Sequence, residues 1–369
     1  MIPVSKPKIT REDINQIVKS LKEGWVSSDG PNVLQFEKKF AKFLGKKYCI
    51  AVSSGTAALE IAVKSLNLKK KDEILIPNFT IISNAFAVIR QNLKPVFVEC
   101  NINDWNIDIN DLKKKITRKT KAIIVTHIYS FSNEMDELIK ICRKNKIKII
   151  EDAAEVLGLK YKNKYCGTFG DVGTFSFYAN KHITTGEGGM LCTDNYDHYL
   201  RCKSLRNLCF GKENRFNHED FGWNYRMTNM QASLGISQLK RIKKTIKEKI
   251  DIGKYYFKKL NHNKNIQILQ PYKDNLENIY WVVGIVIKNK KIKAKNIIKL
   301  LNQKGIGARP FFWPMNKQKI LKKMNYTKKQ NFPVSEYISN YGLYLPSYLG
   351  LKRKDIDKIV SILNRILKD

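Results

Sequence analysis

The sequence predicts an α/β fold in which a mostly parallel sheet is covered by helices, with a smaller α+β unit after it. From Tyr48 onward, short runs of β-branched and aromatic residues alternate with segments of helical period, the pattern that builds strand–helix–strand crossovers. Several of those runs, such as 95–98 and 122–125, carry consecutive apolar residues rather than one at every second position, which marks strands buried on both faces, as parallel strands are. A third observation divides the chain: near residue 250 the alternation gives way to a charged stretch and a separate set of elements. On this basis residues 1–249 are assigned to a large α/β unit and 250–369 to a small C-terminal α+β unit. At 369 residues and 43 % hydrophobic content, the chain can bury two such cores.

Taken in order, residues 10–21 and 33–44 have helical period and precede the first strand. The stretch YCIAVSSGTAALEIAVKSL, 48–66, then runs strand, small-residue turn and helix, with Leu59, Ala62, Val63 and Leu66 on the apolar face of the helix. Strand runs follow at 73–76, 95–98, 122–126 and 147–150, the last ending in Glu151 and Asp152. Residues 172–178 read as a further buried strand that leads into Lys181 and the glycine-rich TGEGG. A long helix beginning near Thr228 closes the large unit. In the small unit come the strand WVVGIVI (281–287), an amphipathic helix at 295–304, the segment IGARPFF and a last helix at 352–367.

Three local patterns carry chemistry. Lys181 leaves an apolar strand near the interior; burial there disfavours the ammonium and makes the amine a nucleophile able to form a Schiff base with a carbonyl. The competing reading is a solvated loop lysine, since lysine is rarely buried. Asp152 sits at the C-terminal end of a buried strand, where ligand crevices of α/β sheets open; it pairs with a cationic ring nitrogen or caps a helix. Ser53, Ser54, Gly55 and Thr56 begin a helix whose free N–H groups, dipole and hydroxyls make a phosphate seat. Serine and threonine cap helices widely, so it is the ordered trio that carries weight.

Composition sets bounds. Sixty-eight Lys and Arg against 33 Asp and Glu give a net charge of +35, which makes a basic nucleic-acid-binding protein the remote alternative. The basic residues are spread along the chain, with no zinc-finger spacing, RNP-like strand or basic tail, so attraction of anionic phosphorylated substrates is the expectation and nucleic acid is not. The seven cysteines show no metal-ligand spacing and read as reduced core residues, with no metal expected. No apolar run is long enough for a membrane span, and the N-terminal residues lack the apolar centre of a secretory signal; a cytoplasmic location is expected.

The ordered trio resembles fold-type I pyridoxal-phosphate enzymes and, more narrowly, the DegT/DnrJ/EryC1/StrS sugar aminotransferases. The likeness runs from GWVSSDGPNVLQFEKKFAKFLG at Gly24 through SSGTAALE, EDAAE, GTFGD, FSFYANK and TGEGG to NYRMTNMQASLGISQL at Asn224. It implies pyridoxal 5'-phosphate as cofactor, Lys181 as its covalent anchor and proton shuttle, and Asp152 as partner of the pyridinium nitrogen. It implies phosphate contacts from Ser54, Gly55, Thr56 and Ser176, with Asn224 reaching the phosphate from a second subunit, hence a homodimer with composite sites. Arg226 either contacts a carboxylate or phosphate or locks the NYRM loop. Related sugar 3-dehydratases carry histidine where this chain has Lys181, so the resemblance favours amino transfer. L-Glutamate is the implied donor and a nucleotide-linked 4-keto-6-deoxysugar the implied acceptor, in surface polysaccharide biosynthesis.

Around the acceptor the resemblance places Trp25, Trp313 and Arg309; packing for the tryptophans, and a surface ion pair for the arginine, are the alternatives. Three positions depart from the family pattern. Glu155 stands where relatives have His or Gln near the ring hydroxyl, Ile81 where they place an aromatic ring over the cofactor, and Asn316 where a histidine lies near the substrate's phosphates. These leave room for a smaller acceptor, a phosphorylated ketone such as dihydroxyacetone phosphate.

Overall fold

A computed structural model describes residues 1–211, 213–274, 276–327 and 330–368. The strand runs of the larger unit are β1 (Tyr48–Val52), β2 (Glu73–Pro77), β3 (Lys94–Val98), β4 (Thr120–Thr126) and β5 (Lys148–Asp152). A two-residue hairpin of β6 (Lys160–Tyr161) and β7 (Lys164–Tyr165) follows, then β8 (Val172–Ser176) and β9 (Gly189–Thr193). Seven of these form one sheet in the order β1-β9-β8-β5-β4-β2-β3. The pairings among β3, β2, β4, β5 and β8 are parallel, whereas β9 runs antiparallel to both β8 and β1. Strand β9, directly after the glycine-rich turn, has no counterpart in the sequence reading.

Burial explains the continuous apolar runs. Ile74 and Ile76 point to the face covered by the helix Gly55–Ser65, with Ile50, Val52 and Ile150, while Leu75, Val98, Ile123 and Ile149 point to the face covered by Met135–Lys144. Each such side chain, fully withdrawn from water, contributes about 1.5–3 kcal/mol. The first helix, Arg11–Lys22, starts on a capping box of Thr10 and Asp13, and the second, Pro31–Leu44, has proline in its first turn.

The long helix expected from Thr228 is two. Asn229–Lys240 stops at Arg241 (φ −107°, ψ 11°), where the guanidinium forks onto buried Asp13 at 2.6 and 2.5 Å, and Ile242–Leu260 continues. That second helix runs unbroken through residue 249. Ile242, Ile246 and Ile250 pack in the larger core, and Ile252, Tyr256 and Leu260 in the smaller one. The smaller unit contains β10 (Ile266–Ile268), a hairpin of β11 (Tyr272–Lys273) and β12 (Leu276–Glu277), then β13 (Val283–Ile287), β14 (Arg309–Pro310) and β15 (Gly342–Leu345). An antiparallel sheet β10-β13-β15-β14 packs under the helices Ala294–Gln303 and Arg353–Ile366. The first residues of the chain belong here too: Ile2 pairs with Ile306 and exchanges backbone hydrogen bonds with Gly305 and Gly307, each of 2.8 Å. All seven cysteines are buried and unbridged. Among the described residues, no helix is long and apolar enough to cross a membrane.

Candidate active site

The cleft opens where β4, β5 and β8 end, with the smaller unit forming its far wall. The two acids closing β5 point to opposite sides because strand side chains alternate. Glu151 turns to the structural side, accepting from His127 Nε2 (3.1 Å), from the N–H groups of Gly167 (2.8 Å) and Gly170 (2.7 Å), and from that of Phe169. Those donors hold its carboxyl below the usual range although burial pushes it up. Asp152 turns into the cleft. No helix follows it, so it is not a helix cap; the N–H of Ala154 donates to its Oδ1 at 3.2 Å, and burial raises its pKa against that bond and the nearby Lys181.

Lys181 follows β8 through a turn closed by its own N–H on the Tyr178 carbonyl (2.9 Å). Its residue is half-buried and its amine lies against the indole of Trp281, with Nζ 3.7 Å from the ring centroid. Burial lowers the ammonium pKa, opposed by the charges of Glu155 and Asp152. Glu155 is itself buried and accepts the Tyr129 N–H at 2.8 Å through Oε2. Burial raises its pKa to about 8, with Lys181 and the Tyr129 N–H pulling the other way. Burial thus favours the protonated form of this carboxyl, beside the carboxyl of Asp152.

The anion seat lies across the cleft. Ser54 caps the helix Gly55–Ser65, its Oγ accepting from the N–H of Ala57 at 3.1 Å, and Thr56 Oγ1 meets Ser83 Oγ at 2.9 Å. Ser176, ending β8, closes over Gly55: a Cβ there would sit 2.8 Å from the Cβ of Ser176. Glycine is thus required for the strand and helix to bring their hydroxyls together. Gly55→Ala is expected to push these elements apart and weaken phosphate retention about tenfold, measured as the dissociation constant of the cofactor with the protein still folded.

Ile81 lines the cleft and is 42 % exposed, as a residue covering a bound ring would be. Ser83, Thr126, Trp281, Phe312 and Tyr344 also line it and were not singled out from the sequence. Ser83 carried no motif signal, whereas Trp281, heading an apolar strand run, offered only that. Other expected site residues lie elsewhere in this chain. Asn224 is exposed, paired with Asn207 across a backbone bridge, and Arg226 Nη1 donates to Asn207 Oδ1 at 2.7 Å, the loop-locking arrangement. Trp25, Trp313 and Arg309 are exposed outside the cleft wall. Asn316 is buried, its Oδ1 accepting from Asn78 Nδ2 (3.1 Å) and its Nδ2 donating to Glu336 (2.7 Å), so in this chain it ties neighbouring segments together.

A nucleophilic amine, a buried carboxylate at a strand end and a hydroxyl-lined helix start, facing one another across a cleft, define the site of a pyridoxal-phosphate enzyme of the fold-type I class. The residues present fit the cofactor. Ser54, Gly55, Thr56, Ser83 and Ser176 would hold its phosphate, Asp152 its ring nitrogen, and Lys181 its aldehyde carbon; the buried Asn84 Oδ1, without a hydrogen-bond partner among the described residues, lies near Asp152.

The chain belongs to the DegT/DnrJ/EryC1/StrS aminotransferase family, whose model matches residues 7–364. It is 34 % identical over 368 residues to the GDP-perosamine synthase of Escherichia coli O157:H7, covering 100 % of this chain and 99 % of that protein. It is 30 % identical to the GDP-4-keto-6-deoxy-D-mannose 3-dehydratase of Escherichia coli O55:H7, over 94 % of this chain and 95 % of that one. Among solved structures, the PseC aminotransferase of Helicobacter pylori, involved in the biosynthesis of pseudoaminic acid, superposes with a TM-score of 0.94 at 25 % identity, covering 100 % of this chain and 99 % of that one.

The protein is a pyridoxal-phosphate-dependent aminotransferase. The bound cofactor supplies an electron sink. The chain would supply the rest: Asp152 would keep a proton on the ring nitrogen, the Ser54–Thr56 turn and Ser176 would hold the phosphate, and Lys181 is placed to take and return protons at the reacting carbons.

Proposed function

We propose that this aminotransferase moves the amino group of L-glutamate to a nucleotide-linked 4-keto-6-deoxysugar, within surface polysaccharide biosynthesis in the cytoplasm. The observation that carries the reading is Lys181, an amine rather than an imidazole, lining one cleft with Asp152 and Glu155. A lysine both anchors the cofactor and carries protons, which completes amino transfer. The full-length likeness to a GDP-perosamine synthase supports the acceptor class, and the excess of 68 basic over 33 acidic residues supplies a field that draws in a diphosphate-linked substrate.

The working form is a homodimer with composite sites. On the helix Arg11–Lys22, Ile14, Val18 and Leu21 are exposed, and Trp25, Val26 and Leu34 extend the same apolar region. A surface of that kind on one chain favours a second copy as its cover, and it would bring an exposed loop residue such as Asn224 within reach of the other cleft.

In the test, protein loaded with pyridoxal phosphate is treated with glutamate, and loss of the cofactor's visible absorbance reports the first half-reaction. GDP- and dTDP-linked 4-keto-6-deoxysugars are then offered alongside dihydroxyacetone phosphate. Fastest recovery with a nucleotide sugar, and an aminosugar as product, is the expected result. Fastest recovery with dihydroxyacetone phosphate, or a product that has lost its 3-hydroxyl, overturns it. Light scattering should give twice the monomer mass.

A further inference from the structure

We propose that the indole face of Trp281 is the station at which the Lys181 ammonium waits between proton transfers, which makes Trp281 a catalytic residue of both half-reactions; this rests on the aminotransferase reading above. Lys181 Nζ lies 3.7 Å from the ring centroid, and the tryptophan is buried. An ammonium withdrawn from water is unfavourable, and the negative face of an aromatic ring offsets part of that cost where solvent is excluded.

The ring is positioned from several directions. Its Nε1–H donates to the carbonyl of Asn180, the residue before Lys181, at 3.0 Å, and its backbone N–H donates to Ser130 Oγ. It stacks on Tyr129 (6.0 Å, 28°), which stacks in turn on Phe312 (5.3 Å, 16°) and accepts the Phe312 N–H through its hydroxyl at 3.2 Å. Tyr129 (φ 45°), Ser130 (φ 80°) and Tyr280 (φ 47°) are buried non-glycine residues in the left-handed region. Such residues persist where their surroundings over-determine them, and they cluster at functional sites. Here one strained pair lies under the indole and a third strained residue immediately precedes it. The same Tyr129 also gives its N–H to Glu155, so one turn places both the acid and the ring beside the amine.

The proton balance shows what the station does. As Nζ takes a proton, the substrate C–H bond breaks, an N–H bond forms, and the electron pair left on carbon is drawn into the bound cofactor. The same proton then returns from Nζ to a different carbon as the new C–H bond forms. In between, the nitrogen is an ammonium in an enclosed site. Asp152 faces it from the end of β5 and Glu155 from just beyond, Tyr178 and Glu187 along the cleft, Tyr344 from β15, and His182 with Lys249 from the small chamber behind. The indole stabilises the charge without adding another titrating group. Because Trp281 comes from the smaller unit and Lys181 from the larger, the station exists only while the two are packed together.

Competitive acetylation of cofactor-free protein, read at Lys181 by mass spectrometry across a pH series, gives the amine's apparent pKa without turnover. Removing the ring face destabilises the ammonium, so Trp281→Leu should lower that value by about one pH unit, a roughly tenfold shift in the protonation equilibrium. Trp281→Phe keeps a face but loses the hydrogen bond to Asn180, and should stay within about half a unit of wild type. In the loaded enzyme the alkaline limb of kcat should move down with Trp281→Leu, with the KM for glutamate little changed. Equal values in all three proteins overturn the proposal; so does Trp281→Phe behaving as Trp281→Leu, which assigns the effect to the hydrogen bond. Trp281→Met replaces the leucine variant if that does not fold. Failure of wild-type amino transfer strikes the aminotransferase reading and leaves the acetylation result standing.

Discussion

Lys181→Ala should reduce amino transfer by about 10⁴-fold or more, because on this reading one nitrogen would serve as covalent anchor, general base and general acid. Borohydride reduction of the loaded wild-type protein should fix the cofactor's mass on the peptide containing Lys181, and the alanine variant should show no such increase. The fold should survive. The lysine amine is withdrawn from water beside Trp281, and its desolvation opposes folding, so the variant should melt within a few degrees of wild type or slightly above it. A variant that turns over normally would remove Lys181 from the mechanism; one that melts far below wild type would recast it as structural.

Why Lys181 was legible in the sequence while Trp281 was not follows from how each is placed. Lys181 is fixed by local chemistry: an apolar strand, a tight turn and a glycine-rich exit are contiguous in the chain, and β8 forms as read. The parallel strands were legible for the same reason, since burial on both faces leaves consecutive apolar residues, 74–76 in β2, 122–125 in β4 and 149–150 in β5. Strand β9 escaped notice because its antiparallel place between β1 and β8 is a tertiary fact, and its first residue, Gly189, is glycine because Ser54 packs against it, an added Cβ falling 2.4 Å from the Ser54 carbonyl oxygen. Trp281 and Ser83 reach the cleft only after distant segments are brought together, and no spacing encodes that. Asn316 shows the same limit from another side: resemblance alone places it near a substrate's phosphates, and only the structure shows its amide completing a buried link to Asn78 and Glu336.

Asp152→Asn should lower kcat by roughly 10²- to 10³-fold, a loss of about 3–4 kcal/mol of transition-state stabilisation, while leaving cofactor affinity within about tenfold. The amide is nearly isosteric, and its oxygen can still accept the Ala154 N–H, so the loss isolates the charge rather than the shape. Without that charge a bound cofactor's ring nitrogen would no longer be held protonated, which would make the ring a poorer electron acceptor. The phosphate seat on Ser54, Gly55, Thr56 and Ser176 is untouched, which is why binding should largely persist. Glu155 supplies an independent readout. The Asp152 charge helps hold its carboxyl up, so the asparagine variant should let that carboxyl ionise at lower pH than the present value of about 8. The part of the pH–rate profile that follows Glu155 should then move toward acid. A variant with normal kcat and an unmoved profile would mean that the strand-end carboxylate does not govern the electronics of the site; a loss of kcat with the acid shift would show that Asp152 sets both the ring's electron demand and the protonation of its neighbour.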